Sequence, residues 1–179
     1  MLSGATGVAA IDSIDRAAPN IICLFFISVF ATLGSVVITP SLPMIGQFFA
    51  ISSNETQLTV SVFLLGYAAG QLLYGPLANR FGRIVTLRIS LIVNLIGTLL
   101  STISSPLESF HILLLGRLIE AIGCSGGMAV SFIMLNDYYS LAKARGQFAM
   151  LMVASSIVPA VGVFIGGFIA EYFNWQGCL

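Results

Sequence analysis

Charge is what this sequence has least of. Of 179 residues, seven are Lys or Arg and seven are Asp or Glu, 8% in all, where a soluble domain carries about 25%. So few charges cannot cover a water-facing surface. The balance of signs leaves no basic surface, which argues against a nucleic-acid partner. Cysteine is also scarce: Cys23, Cys124 and Cys178 stand singly, without Cys-x-x-Cys spacing, and an odd count gives no disulfide framework. The only histidine, His111, has no partner ligand nearby, so neither a metal site nor a cofactor is expected. Residues 1–20 lack the basic start and apolar core of a signal peptide; with Asp12, Asp15, Arg16 and Pro19 they read as a short cytoplasmic tail.

What the chain does have is apolar length. Hydrophobic residues make up 58% of it, and mean hydropathy is +1.02. A membrane-spanning helix needs about 20 such residues, and five runs qualify: 21–39, 58–78, 89–105, 110–135 and 148–172. The first is closed by Pro40 and Pro43, the third by Pro106. The connections are short, and nothing is left for a soluble domain. The expected fold is all-α, a polytopic protein of five transmembrane helices whose solvent is the lipid bilayer.

Positive charge sets the orientation. Arg80, Arg83 and Arg88 fall between runs two and three, and Lys143 and Arg145 between runs four and five; the other two connections hold only Glu55 and Glu108. The positive-inside rule then places the amino terminus and both basic connections in the cytoplasm. The fifth run exits on the outer side near Glu171, where Trp175 suits a membrane interface. No sixth run follows, so truncation is expected.

The most specific stretch is Gly75-Pro-Leu-Ala-Asn-Arg-Phe-Gly-Arg-Ile-Val-Thr-Leu87. Glycine at positions 75 and 82 permits a tight turn and close helix approach, and Arg80 and Arg83 fix a cytoplasmic loop. A basic turn alone explains the arginines but not the full spacing. That spacing resembles the signature loop of the major facilitator superfamily, and the chain as a whole resembles the amino-terminal half of a bicyclomycin- or chloramphenicol-resistance-type drug:proton antiporter. Gly75, Leu77, Ala78, Arg80, Gly82, Arg83 and Leu87 match; Asn79 stands where the family has Asp. The resemblance implies a gating role for this loop, with Asp137 at the end of the fourth run as partner of Arg83. It also covers Thr39-Pro-Ser-Leu-Pro43 and the second run from Leu58 to Pro76, although the acid that usually precedes the prolines is absent here.

The fourth run carries Arg117 and Glu120 at membrane depth, where an ionisable group costs about 2.5–3.5 kcal/mol. Three residues apart, they share a helix face and can pair. Arg117 either faces the interior or snorkels outward; Glu120 either pairs with it or stays protonated. The resemblance adds that Gly116, Arg117 and Gly123 match a family motif linked to proton coupling, with Glu120 replacing Gln. In the fifth run, Pro159, Gly162, Gly166 and Gly167 resemble an antiporter motif in which Val163 replaces Pro; helix packing is the plainer reading. Tyr67 and Gln71, four apart in the second run, are candidates for a substrate cavity, while Asn94 in the third reads as packing.

An enzyme is not expected. There is no His-Glu-x-x-His, and Gly123-Cys-Ser-Gly-Gly127 lies within a span rather than on the turn that exposes a nucleophile. The resemblance implies a transporter: proton-coupled efflux of drugs or other small molecules across the inner membrane, with small-molecule substrate and protons as partners and the carboxy-terminal half supplied elsewhere. The alternative is a non-transporting remnant or structural subunit.

Overall fold

A computed structural model describes residues 21–139 and 141–178; the tail expected at 1–20 lies outside the described residues. Six helices follow in order: α1 (Ile21–Val36), α2 (Leu42–Phe48), α3 (Ser53–Phe81), α4 (Arg83–Ile103), α5 (Phe110–Tyr138) and α6 (Leu141–Phe173), with short 3-10 turns at Thr39–Ser41 and Trp175–Cys178. Taking α1 and α2 together as one bent segment, five spans among the described residues are long and apolar enough to cross a membrane.

The later helices, α3 to α6, run past the apolar runs that predict them at one end or both, for local reasons. Pro40 and Pro43 bend the first span without ending it: each sits in the first turn of a new helical segment, where a missing N–H costs nothing. Ser52 starts α3 five residues before the apolar run. The Glu55 N–H donates to Ser52 Oγ (3.3 Å) and the Ser52 N–H donates to Glu55 Oε2 (2.9 Å), a reciprocal cap. Gly82 alone separates α3 from α4; its φ of +85° is what lets the chain reverse in one residue.

α5 is the hub. Within its most apolar window 61% is buried in the bundle, against 12–28% for the other four spans. It lies against α4, α3 and α1, whereas α6 is held chiefly by α1. Small residues set these contacts. Along the antiparallel α4–α5 seam, Gly116 faces Ser101, Gly97 faces the backbone of Glu120, Gly123 faces the backbone of Asn94, and Gly126 faces Ser90. In the parallel α3–α5 seam, Gly66 meets Leu118 and Gly70 meets Ile122 and Ser125. The α1–α6 seam is parallel too, with Gly162 against Leu33 and Val36 and Gly166 against Val37. Lipid supplies no hydrophobic drive between helices, so backbone proximity must supply the dispersion contact.

One expectation needs correcting. Gly75 makes no close helix approach: a Cβ there would meet nothing within 4 Å, because the residue lies on an open part of α3. Trp175 is 3% exposed, packed with Ile38, Ile45 and Leu113, because the chain folds back over the end of the bundle after α6.

Candidate functional site: a buried ion pair at the α1–α5 seam

The small residues of α4 let α5 approach closely enough to shut its polar groups away from lipid. Arg117 is 0% exposed and Glu120 is 4% exposed. Arg117 Nη1 donates to Glu120 Oε2 at 3.0 Å, and Arg117 Nη2 donates across the seam to the Gly34 carbonyl of α1 at 3.1 Å. The Phe63 ring of α3 lies flush with the same guanidinium, Cζ to centroid 4.2 Å, an arrangement that attracts a cation electrostatically. Three helices therefore grip one arginine. Of the two orientations the sequence left open for Arg117, the interior one is adopted; of the two for Glu120, the paired one.

Gly34 is small for a reason: a Cβ there would come within 3.3 Å of Cys124 Sγ and 3.8 Å of Glu120 Oε1. One turn along α5 from Glu120, Cys124 Sγ accepts from Asn94 Nδ2 at 2.9 Å, and the same amide reaches the Glu120 carbonyl at 3.4 Å. Asn94 thus ties α4 to α5 beside the pair. Asn94→Ala is expected to lower stability by about 0.6–1.7 kcal/mol, the range for interhelical hydrogen bonds in membranes; unfolding in mixed detergent micelles measures it.

At the other end of the bundle, Arg83 Nε donates to Asp137 Oδ2 at 2.7 Å, and Arg83 Nη1 to the Ala78 carbonyl at 3.0 Å. The pair locks the α3–α4 turn to the end of α5. Asn79 and Arg80 are exposed, with Arg80 over the Phe81 ring at 5.4 Å; neither joins this pair. With side chains 27% and 37% exposed, the Arg83–Asp137 bridge is solvent-screened. Asp137→Asn is expected to cost less than about 1 kcal/mol in the same assay.

The remaining candidates are dispersed. Tyr67 donates to Met128 Sδ at 3.2 Å and stacks near Phe63 at 6.3 Å, while Gln71 is exposed. Gly162 and Gly166 are buried in the α1–α6 seam, Gly167 and Pro159 partly so. Sequence reasoning missed Gly34 and Phe63. Gly34 gave no signal, being one glycine among eighteen. Phe63 had one, lying four residues before Tyr67 on the same face.

A bundle of spanning helices closed around a desolvated ion pair, with a basic turn at one end, defines a polytopic helical membrane protein of the transporter type. The Major Facilitator Superfamily model matches residues 24–179, and the chain belongs to that family. It is 30% identical over 156 residues to an uncharacterized transporter of Rickettsia bellii, covering 87% of this chain and 37% of that protein. A chloramphenicol resistance protein of Pseudomonas aeruginosa is 26% identical, covering 89% and 38%, and a bicyclomycin resistance protein homolog of Haemophilus influenzae is 26% identical, covering 87% and 38%. The chain spans little more than a third of the length of these relatives. Proteins of this family are transporters, not enzymes.

Proposed function

We propose that this chain forms the amino-terminal part of a proton-coupled exporter of small, largely apolar molecules in a bacterial inner membrane, with Glu120 as the group that takes up and releases the proton. The observation that carries the reading is the desolvated Arg117–Glu120 pair at the seam of α1 and α5. An ionisable pair at membrane depth is retained where its charge is used. Arg117 is the arginine that the family resemblance links to proton coupling, Glu120 stands three residues from it, and the first span carries no acid between residues 21 and 39. Protonation of Glu120 removes the anion that balances Arg117, leaving the guanidinium held by Gly34 O and the Phe63 ring. The grip on α1 is thereby linked to proton uptake.

The positive-inside rule supports placing Arg80, Arg83, Arg88 and Arg145 in the cytoplasm, with the amino terminus, and the Trp175 end outside. Asn79 carries no charge, so in this reading the Arg83–Asp137 bridge alone links the gating turn to α5, and Gly162 and Gly166 keep α6 close to α1. A second half supplies the opposite wall of the cavity, as two-half carriers require. The relatives named for chloramphenicol and bicyclomycin resistance support drugs of that size as substrates, with Tyr67 and Gln71 on α3 as the candidate contacts.

The test is accumulation of radiolabelled chloramphenicol in cells producing the chain joined to a complementary carboxy-terminal half. Export should be abolished by a proton uncoupler, and Glu120→Gln should flatten its dependence on external pH. Unchanged accumulation with either wild-type arrangement favours the non-transporting reading, and a Glu120→Gln carrier with the original pH profile removes Glu120 from coupling.

A further inference from the structure

The end of the bundle opposite Arg83 is closed by an unusual piece of chain. Asn174, at φ +62°, turns the chain sharply off the end of α6. Trp175 then inserts among aromatic rings, with centroids 5.3 Å from Phe48 and 5.6 Å from Phe49. Gln176 Nε2 donates to Ser105 Oγ at 2.6 Å in the connection between α4 and α5. Cys178 Sγ accepts from the Ser41 hydroxyl at 3.1 Å and lies 3.5 Å from the Gly166 carbonyl oxygen. Five residues thus fasten α6 to α2, to the bend in the first span and to the α4–α5 connection.

Beneath this strap is a cavity of about 230 Å³. Gly177 and Cys178 line one side, and Glu120 and Cys124 another, with Asn94 and Thr98 contributed by α4. Asn94 with Thr98, and Glu120 with Cys124, are each four residues apart, so each pair forms one polar stripe along its helix. The α1 wall is apolar and tapers at Gly34, beside the carboxylate. The position of Glu120 along α5 also favours this end. It lies ten residues from Phe110 and seventeen from Asp137, roughly 15 Å against roughly 26 Å at the helical rise. Toward Asp137 the α4–α5 contact is shut, with Gly123 on the Asn94 backbone and Gly126 against Ser90 and Tyr74, and the space beside Cys124 on that side is an apolar cavity of about 210 Å³ walled by Phe26, Ile27, Phe30 and Leu91.

We propose that residues 174–178 are a lid over the polar route by which the Glu120 carboxylate meets solvent at this end, with Trp175 as its anchor and the Gln176–Ser105 hydrogen bond as its latch. The inference rests on the reading of Glu120 as the proton-exchanging group. The titratable groups sharing the cavity surroundings are Arg117 and Cys124 on α5 and Cys178 on the lid. A proton reaches Glu120 from solvent only when the lid lifts, so closure by residues 174–178 sets which side of the membrane the carboxylate sees.

Cys124, in the same cavity, reports access without any transport assay. In the purified chain carrying Cys23→Ser and Cys178→Ser, the one remaining thiol is Cys124, and its reaction with a charged methanethiosulfonate is followed by mass spectrometry. Trp175→Ala should speed the reaction about tenfold, and Gln176→Ala about threefold, as loss of one modest hydrogen bond would give. A parallel chain retaining only Cys178 shows whether the lid has detached. Fast Cys178 with unchanged Cys124 overturns the proposal, as does a parent chain whose Cys124 reacts as fast as exposed Cys23. If Trp175→Ala loses its helical circular dichroism, Gln176→Ala decides by the same criteria. A lid confirmed here beside a Glu120→Gln carrier that keeps its pH profile would separate failure of the coupling reading from failure of the lid.

Discussion

Glu120→Ala is expected to lower the stability of the chain by about 3–5 kcal/mol, the cost of leaving a buried charge without its partner. Arg117 is fully buried, and with Glu120 gone its guanidinium keeps only Gly34 O and the Phe63 ring. Neither neutralises a charge. Removing both partners behaves differently. The double substitution Arg117→Met with Glu120→Met eliminates the desolvation cost along with the attraction, and is expected to be neutral or stabilising by about 1–4 kcal/mol relative to wild type. The sign reversal between single and double variants is the signature of a pair retained for use rather than for stability. Unfolding in mixed detergent micelles, with helical circular dichroism as readout, gives both numbers. A single substitution costing under about 1 kcal/mol would mean that water reaches the pair and that its burial does not hold in solution.

The second large effect is steric. A Cβ at Gly97 would fall on the backbone N and Cα of Glu120, and one at Gly123 on the backbone N and Cα of Asn94. Backbone cannot rotate aside as a side-chain tip can, so α4 and α5 must part. Gly97→Ala and Gly123→Ala are each expected to cost about 1–3 kcal/mol, as overpacking does, despite the roughly 1 kcal/mol by which alanine favours an isolated helix over glycine. Gly146 in α6 is the control. Nothing lies within 4 Å of a Cβ there, so Gly146→Ala should stabilise by about 0.5–1 kcal/mol. Thermal unfolding of the three variants in one detergent compares them directly; opposite signs at Gly97 and Gly146, with the larger change at Gly97, are the expected pattern. A stabilised Gly97→Ala would show that the seam is looser than its geometry.

The five spans were legible because hydropathy over some twenty residues averages out local detail, and lipid permits no alternative to the helix in a single segment. Helix ends were less so. The α3 start depends on a cap between Ser52 and Glu55, and polar residues there read equally well as loop. Pro40 and Pro43 read as terminators because a proline's effect depends on which turn of the helix it occupies, and that is a three-dimensional fact. At the site, Arg117 and Glu120 stood out because burying charge is costly wherever it occurs. Gly34 and Phe63 did not, since a glycine carbonyl and a phenyl face become ligands of a guanidinium only when a second and third helix bring them there. The packing of Trp175 was not legible, because its burial comes from a turn after α6 that no periodicity encodes.

That α5 is the most buried of the spans bears on how the protein is made. A segment holding Arg117, Glu120 and a run of small residues partitions poorly into lipid by itself, yet its surroundings are assembled from α3 and α4, which are synthesised before it. The six-residue link from Ser104 to Ser109 brings α5 back along α4 as a tight hairpin, with the acid already positioned to neutralise the arginine on the same helix. Insertion of α5 is thus templated by its predecessors, and a ribosome-bound intermediate ending after α5 should enter the bilayer with α3 and α4 in place and fail to do so without them.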